Sequence, residues 1–216
     1  MWDIIVIITM IKLTRKQLRY LIKEMAAKQP NELSDKFHWE VTKWSAKASD
    51  EEEWDGWDGE QIVNNVLIAG YVQSEDRRSP SRVAGIFIKQ KPESDCVHWE
   101  VKSASVSRYS DVFGDDLIDL GPMMYDIAME IAGENGMISD SDGTSDEAKR
   151  VWDFYLQNRL GVDVDVTDIP LGSCDRPVDT TSMEFPRDDF RLKVYRKKSG
   201  TPSIIDKLKN MGKIRF

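Results

Sequence analysis

One short segment of the chain, residues 97–107, contains side chains that could carry out acid–base chemistry. Glu100 carries a carboxylate and His98 an imidazole, and either group could accept a proton from a substrate. Farther along, Gly121 and Pro122 open a helical pattern, and the backbone N–H groups at a helix start can bind an anion. The same residues also fit an exposed strand position and a plain helix start. The residue types and their spacing therefore indicate two candidate sites. They do not decide whether these residues act in catalysis and binding or have a structural role only.

The elements that position these residues follow from hydrophobic periodicity. Residues 97–107 alternate apolar and polar side chains, which predicts a strand with one buried face. A helix that Gly133 and Gly136 can close is predicted next, because apolar side chains recur at three- and four-residue steps. These side chains are Leu120, Met123, Met124, Ile127, Ala128 and Ile131. Residues 137–140 then predict a brief buried strand.

A second helix is predicted after this strand. Thr144 and Glu147 have the spacing of a capping box, and Asp146 adds negative charge where the helix dipole favours it. The helix should run to about Arg159. Its apolar stripe comprises Ala148, Val151, Trp152, Tyr155 and Leu156. Strand, loop, helix, strand and helix thus follow one another in this region.

Two segments of this region, GPMMYDIAMEIA and SDEAKRVWDFYLQNR, resemble the GNAT acyltransferase family in the form met in phages and marine bacteria. The resemblance covers about half of the chain, and it extends by element order to a helix at residues 14–28 and strands at residues 66–73, 83–89 and 190–196. It implies an α/β (α+β) fold with a central mixed, mostly antiparallel sheet flanked by helices. Residues 29–196 would form this domain, between an N-terminal segment, 1–28, and a basic tail, 197–216.

The resemblance also implies a reaction and a set of residues. Acetyl-CoA, or another acyl-CoA, would donate its acyl group by direct transfer to a primary amine of a small molecule or a protein. Tyr155 stands where the family often has its general acid, which protonates the departing thiolate, and Glu100 would activate the amine through water. The cofactor would be held by Ser105, Val106 and Ser107 along its pantetheine arm, and by Gly114, Gly121 and Met123 at its pyrophosphate.

The pyrophosphate loop departs from the family pattern of Arg or Gln followed by two glycines. With the last glycine at Gly121, Asp119 occupies the first glycine position and Asp116 the basic one, and such carboxylates repel a pyrophosphate unless they point away from it. A second register takes Gly114 as the first glycine, with the following residues as an insertion. The departure favours a competing interpretation, a catalytically inactive GNAT-like module with a structural or protein-interaction role in a phage. Modification of a nucleotide or DNA base is a third interpretation.

The composition is that of a protein with one well-buried domain. The 216 residues are 40% hydrophobic and 31% charged, with a mean hydropathy of -0.49. A net charge of -8 and a pI near 4.9 argue against a dedicated nucleic-acid binder. The basic tail, residues 197–216, should form a helix that folds onto the acidic body or reaches for a nucleic acid or another partner. No sequence feature sets the oligomeric state.

The cysteines and histidines indicate neither a disulfide framework nor a metal site. Cys96 and Cys174 belong to no metal-binding motif and to no pattern typical of secreted proteins, which favours a reducing cytoplasm, that of a host cell if the protein is phage-encoded. With only His38 and His98 available, no structural metal is expected. The opening segment, MWDIIVIITMI, is too short to span a bilayer, and it indicates either a buried strand or a start placed ahead of Met10.

Two further segments lie between the predicted elements. Residues 50–60, DEEEWDGWDGE, should form an acidic loop with two tryptophans, which could attract a cationic amine. Residues 163–184 are rich in Asp, Pro, Thr and Gly and predict a long irregular connection.

Overall fold

The structure is a computed structural model that describes residues 28–47, 62–73, 78–90, 96–107, 120–139, 144–170, 174 and 190–216. The predicted first helix, residues 14–28, lies outside this part except for Lys28. The acidic segment, residues 50–60, and the predicted pyrophosphate loop with Gly114, Asp116 and Asp119 also lie outside it.

Eight strands and three helices make up the described part. The strands are β1 Phe37–Lys47, β2 Ile62–Val72, β3 Ser81–Gln90, β4 Trp99–Val106, β5 Met137–Ile138, β6 Val164–Asp168, β7 Lys193–Lys197 and β8 Ile214–Arg215. The helices are α1 Leu120–Ala132, α2 Asp146–Phe154 and α3 Ile204–Asn210. All eight strands belong to one sheet, in the order β6-β7-β5-β4-β3-β2-β1-β8.

Most neighbouring strands in this sheet are antiparallel. The strands β1 to β4 form a meander, and β7 pairs antiparallel with both β5 and β6. Two pairs are parallel, β4 with β5 and β1 with β8. The prediction of a mixed, mostly antiparallel sheet accompanied by helices is confirmed.

The helix α1 packs across the sheet with the stripe that its sequence predicts. Leu120, Met123 and Ile127 are each 0% exposed, and they join Ile68 of β2 and Ile86 of β3 in one core cluster. Burying a side chain of this kind stabilises the fold by about 1.5–3 kcal/mol. The first turn of α1 is therefore held firmly beside the sheet.

Glycines end α1 as predicted. Gly133 and Gly136 have positive φ angles of 58° and 69°, which glycine adopts without strain. At Gly136 a Cβ atom would also come within 2.6 Å of Val194 Cγ1, so the chain passes too close to β7 for a larger residue. The strand β5 follows at once, with two residues rather than the four predicted.

The cap of α2 differs from the prediction. The Oγ atom of Ser145 accepts a hydrogen bond from the backbone N–H of Ala148 at 3.2 Å, so Ser145 and not Thr144 caps the helix. After Phe154 the helix widens into a π-helical segment, Tyr155–Arg159. Helical structure thus ends at Arg159, where the sequence placed it.

The predicted irregular connection, residues 163–184, is wrong in its first part. Residues 164–168 form β6, which pairs along its whole length with β7. Val164 and Val166 alternate with polar residues, but five residues are a short signal amid turn-forming neighbours. The strands β1 and β8 were likewise not predicted.

The basic tail folds onto the body, one of its two predicted fates. Ile205 and Leu208 of α3 are buried, as the spacing of its apolar residues predicts. The strand β8 pairs with β1, and Lys213 Nζ donates hydrogen bonds to the carbonyl groups of Leu33 and Ser34, the latter at 2.6 Å.

The two cysteines require a further correction. Cys96 and Cys174 form a disulfide with their Cα atoms 4.7 Å apart. They are separated by 78 residues, so the fold and not the local sequence brings them together. A short sequence motif could therefore not predict the disulfide. Because the two cysteines are paired, they do not support the predicted reducing compartment. No helix in the described part is long and apolar enough to cross a membrane.

Candidate functional site

The sheet opens between β4 and β5. These parallel strands pair at two positions, Trp99 with Met137 and Glu100 with Ile138. The strand β5 ends there, whereas β4 continues for another six residues to Val106. This second half of β4 therefore borders a gap, which the first turns of α1 and α2 flank.

A β-bulge lies at the same place in β4. The register between β3 and β4 shifts by one residue after Val101, and Lys102 is the inserted residue. A bulge bends its strand and increases the local twist, and bulges are over-represented next to active sites. The bulge at Lys102 thus lies directly after the last residue of β4 that pairs with β5, where β4 becomes an unpaired edge on that side.

The gap contains a cleft with two compartments, called here the β4 cleft. Its large compartment has a volume of about 420 Å³ and is bounded by Ser105, Val106 and Gly121 among others. Its small compartment has a volume of about 180 Å³ and is bounded by Lys102, Ser103 and Thr144 among others. The compartments adjoin, because both are lined by Ala104, Tyr125, Ser145 and Ala148.

Tyr125 forms part of the wall that the two compartments share. Its side chain is 2% exposed and packs edge-on against Trp152, with the ring centroids 5.1 Å apart. Burial raises the pKa of its hydroxyl well above the ordinary value, so the group stays protonated near neutral pH. In the part of the chain that the structure describes, this hydroxyl makes no hydrogen bond.

Thr144 also lines the small compartment, with its hydroxyl group buried in the wall. Its Oγ1 atom is fully buried and has no hydrogen-bond partner among the described residues, because the capping role has passed to Ser145. Buried hydroxyl groups in folded proteins nearly always bond to protein, water or ligand. The wall of the small compartment therefore contains a buried hydroxyl group that has no partner among the described residues.

Gly121 lies in the first turn of α1, at the wall of the large compartment. A Cβ atom there would meet only Val151 Cγ2, at 3.6 Å, which is an ordinary contact. Packing therefore does not require glycine at this position. The first N–H groups of any α-helix lack partners within the helix, so those of Leu120 and Gly121 can donate to an anion in the cleft. Pro122 has no N–H to contribute.

The structure brings together some of the residues that the sequence singled out. Ser105, Val106 and Gly121 all border the large compartment. Met123 is completely buried in the core, and the N–H of Ser107 donates to the carbonyl of Val83 at 2.6 Å. Neither of these two lines the β4 cleft, and Gly114 lies outside the described residues.

Tyr155 is placed in a different polar cluster, under α1. It is 0% exposed, and its hydroxyl lies 2.8 Å from the carbonyl oxygen of Pro122 and 2.9 Å from Asp126 Oδ1. Burial and the neighbouring carboxylate of Asp126 raise its pKa well above the ordinary value. The structure therefore does not bring Tyr155 to the β4 cleft.

Arg159 completes this second cluster. Its guanidinium lies 3.2 Å from Asp126 Oδ1 and also binds Asp163, with Nε 2.5 Å from Oδ1. Burial raises the pKa of Asp126, and the charge of Arg159 opposes the shift. A cavity of about 340 Å³, called here the Arg159 pocket, is lined by these three side chains together with Lys197. In this pocket the charged groups named here are paired with one another or with neighbours.

Glu100 and His98 have local partners. Glu100 lies 3.0 Å from the ammonium of Lys102. Lys102 lines the small compartment, whereas Glu100 lines neither compartment of the β4 cleft. His98 Nδ1 contacts the carbonyl oxygen of Asn135 at the end of α1. Among the described residues, no group of three or more His, Cys, Asp or Glu side chains is arranged to hold a metal ion.

Sequence reasoning missed Tyr125, Thr144 and Trp152 as parts of a site. Trp152 belongs to the predicted apolar stripe, and Thr144 was assigned to the cap. Tyr125 had one available signal, since it follows Met124 at the flank of the buried stripe rather than within it. A polar-tipped aromatic residue at such a boundary is suited to line a cleft.

Comparisons of the chain with protein-family models, with curated proteins and with solved structures found no match.

Proposed function

We propose that the protein is an acyl-CoA-dependent N-acyltransferase that moves an acyl group, acetyl in the simplest case, to a primary amine by direct transfer. The observation that carries this proposal is the β4 cleft at the separation of two parallel strands. Its large compartment is bordered by Ser105, Val106 and Gly121, the residues for which the GNAT resemblance implies cofactor binding. The order of elements around it, strand, helix, short strand and helix, also supports the proposal.

The residues of the cleft suit the parts of an acyl-CoA. The second half of β4 can offer backbone N–H and C=O groups to an extended ligand, as sheet edges do for peptides. The first turn of α1 at Gly121 can donate N–H groups to a pyrophosphate. A volume of about 420 Å³ lies within the range of roughly 300–1,000 Å³ that is usual for small-molecule sites. The thioester, when bound, supplies an activated acyl group.

Glu100 supplies the proton acceptor in this proposal. The amine must lose a proton as its nitrogen bonds to the acyl carbon and the carbon–sulfur bond of the thioester breaks. The carboxylate of Glu100, next to Lys102 of the small compartment, can take this proton through water, while the thiolate of CoA leaves and is protonated by water. The pair with Lys102 holds that carboxylate in place at 3.0 Å. The acceptor amine, from a small molecule or a protein, would enter from this side of β4.

A second candidate function is a binding module without catalysis. The observation that favours it is the position of Tyr155, whose hydroxyl is engaged by Pro122 and Asp126 instead of reaching the cleft. Without an acid for the departing thiolate, the β4 cleft could bind a ligand and serve protein interaction alone. Turnover separates the two functions, because a binding module releases no free thiol.

Calorimetric titration of the protein with acetyl-CoA tests the binding step. Gly121→Asp and Gly121→Asn form a matched pair, since the two side chains have nearly the same shape and differ in charge. Aspartate in the first turn also favours the helix, so lost binding would not reflect lost folding. We expect saturable binding by the native chain, retained in Gly121→Asn and weakened by about 10-fold or more in Gly121→Asp. Absence of binding by the native chain at millimolar acetyl-CoA would overturn the proposal.

Release of free thiol from acetyl-CoA in the presence of a panel of primary amines then tests turnover. We expect amine-dependent release that falls on Glu100→Gln, with the affinity for acetyl-CoA unchanged. Binding of acetyl-CoA without release of free thiol for any amine would favour the binding module without catalysis over the enzyme.

A further inference from the structure

The Arg159 pocket lies apart from the β4 cleft, where the basic tail meets the body. Its volume of about 340 Å³ lies within the range of roughly 300–1,000 Å³ that is usual for small-molecule sites. Residues 28–30 line it near the start of the described chain, and Thr201, Ile204 and Lys207 line it from the tail. No described residue lines both this pocket and a compartment of the β4 cleft. The two cavities are therefore separate candidate sites.

Positive charge is in excess around the Arg159 pocket. Four basic and two acidic side chains line it, namely Lys28, Arg159, Lys197, Lys207, Asp126 and Asp163. Glu130 adds a third carboxylate from outside the lining, because it lies 2.5 Å from the ammonium of Lys197. One positive charge of this cluster is thus left without a matching negative charge among the described residues.

Lys207 is the basic side chain that is best placed to meet a ligand. It is exposed on α3, and its ammonium makes no hydrogen bond or ion pair with another described residue. The guanidinium of Arg159, by contrast, already binds two carboxylates, and the ammonium of Lys197 binds Glu130. An anion in the pocket therefore gains a charge-assisted contact with Lys207 without breaking an ion pair.

The rest of the lining favours a ligand with an apolar body. Phe154 and Ile204 are half-buried and line the pocket beside the charged groups, and the exposed Pro202 adds further apolar surface. A small inorganic ion would leave this surface in water, whereas an organic molecule can cover it. Ligand sites commonly combine such apolar walls with a few polar groups that fix the orientation. The pocket thus suits a molecule with an oxyanion group and a short apolar body.

We propose that the Arg159 pocket binds a small organic oxyanion, a carboxylate or a phosphate ester with an apolar body, through the ammonium of Lys207. The apolar body packs against Phe154 and Ile204, and the oxyanion lies at the basic side chains. Arg159 keeps its two ion pairs and adds positive potential from the wall of the pocket. The inference goes beyond acyl transfer, because it concerns a second site and a second class of ligand.

Three ligands with the same ring test the proposal. Benzoate and benzamide have nearly the same shape, but only benzoate is charged at neutral pH. Phenyl phosphate carries a phosphate group in place of the carboxylate, so it distinguishes the two kinds of oxyanion. Calorimetric titration of the full chain measures the three affinities, at low ionic strength because salt screens the contact with an exposed lysine.

Two variants of α3 locate the site. Lys207→Gln removes an ammonium group from the pocket and keeps a side chain of similar length. Lys209→Gln is the control, because Lys209 belongs to the same helix but does not line the pocket, and its ammonium lies 4.7 Å from the ring centroid of Phe216. Thermal unfolding of each variant checks that the fold is intact.

We expect the native chain to bind benzoate, phenyl phosphate or both, and to bind benzamide more weakly than the preferred anion. Lys207→Gln should weaken the binding of that anion by roughly 3- to 10-fold, and Lys209→Gln should leave it unchanged. Tighter binding of benzoate assigns the pocket to carboxylates, and tighter binding of phenyl phosphate assigns it to phosphate esters.

Three results would overturn the proposal. They are no binding of either anion at millimolar concentration, binding of benzamide as tight as that of the anions, and equal affinities of the two variants. Acetyl-CoA takes no part in these titrations. Their failure would therefore leave the proposed function standing, and failure of the proposed function would leave the anion site standing.

Discussion

The β4 cleft and the Arg159 pocket both adjoin α1, and they treat their polar groups in opposite ways. In the Arg159 pocket, Asp126 and Asp163 share one guanidinium, and Asp126 also accepts from the hydroxyl of Tyr155. In the β4 cleft, the hydroxyl groups of Tyr125 and Thr144 have no such partners in the described structure. In the Arg159 pocket these polar groups are paired with one another, whereas in the β4 cleft the two hydroxyl groups have no partner in the described part of the chain.

Under the proposed function, this difference separates residues that stabilise the fold from residues that bind the ligand. Tyrosine and aspartate can act as acids or bases in catalysis, yet in the Arg159 pocket their hydrogen bonds, and those of Arg159, connect α1 to the π-helical segment that follows α2. A buried charge network of this kind costs little only while every member is present. We therefore expect mutations in the Arg159 pocket to lower stability and those in the β4 cleft to lower affinity.

The largest expected effect belongs to Arg159. Replacing it with Met keeps much of the side-chain volume but leaves the carboxylates of Asp126 and Asp163 without their counter-charge, which should lower the free energy of unfolding by about 3 kcal/mol. Urea unfolding measures this loss. The affinity of the folded variant for acetyl-CoA should stay unchanged. A stable variant with lost affinity would contradict the separation of the two regions.

Tyr155→Phe tests the same separation at the level of one hydroxyl group. The substitution removes the donor to Asp126 and Pro122, and we expect a loss of about 1–2 kcal/mol in the free energy of unfolding. Acyl transfer and acetyl-CoA binding should change less than about twofold, because the side chain does not line the β4 cleft. If activity falls while stability does not, Tyr155 would instead be the acid that the GNAT resemblance implies.

The neighbours Ser145 and Thr144 sharpen the comparison at the start of α2. Ser145→Ala removes the cap that binds the N–H of Ala148, so we expect a loss of about 1 kcal/mol in the free energy of unfolding. Thr144→Val should have a smaller effect on stability, since the Oγ1 atom of Thr144 bonds to no described residue. Denaturant midpoints of the two variants decide the matter. An equal loss in both would mean that the cap is shared.

Features that depend on local sequence patterns could be predicted from the sequence. The period of apolar residues placed α1, and the glycines at its end marked the turn, because local patterns determine local structure. Part of the wall of the large compartment could also be predicted, because the end of β4 belongs to a predicted strand and Gly121 to the start of a predicted helix. These features depend on neighbours in sequence.

Contacts between distant segments were beyond the same reasoning. Asp126 meets Arg159 across 33 residues, and Cys96 meets Cys174 across 78. Tyr155 lies on the predicted apolar stripe whether its hydroxyl meets Asp126 or a ligand, so periodicity could not assign its role. Ser145 and Thr144 both have the chemistry of a cap, and only the folded geometry shows which one is used.

The smallest expected effect concerns Glu130, beside the Arg159 pocket, and it depends on pH. Burial raises the pKa of this carboxyl, but hydrogen bonds from Lys197, Ser203 and the N–H of Ile204 outweigh it and hold the pKa below its ordinary value of 4.5. A depressed pKa in the folded state gives stability that is fully present above the unfolded value and is lost as pH falls through the folded one. We expect Glu130→Gln to lose about 1 kcal/mol at neutral pH and to weaken the decline in stability from about pH 5 to about pH 3. Urea unfolding across this range measures both. An unchanged decline would show that Glu130 does not stabilise the start of α3. Acetyl-CoA binding at neutral pH is the control: it should be the same in the native chain and in Glu130→Gln, because Glu130 does not line the β4 cleft.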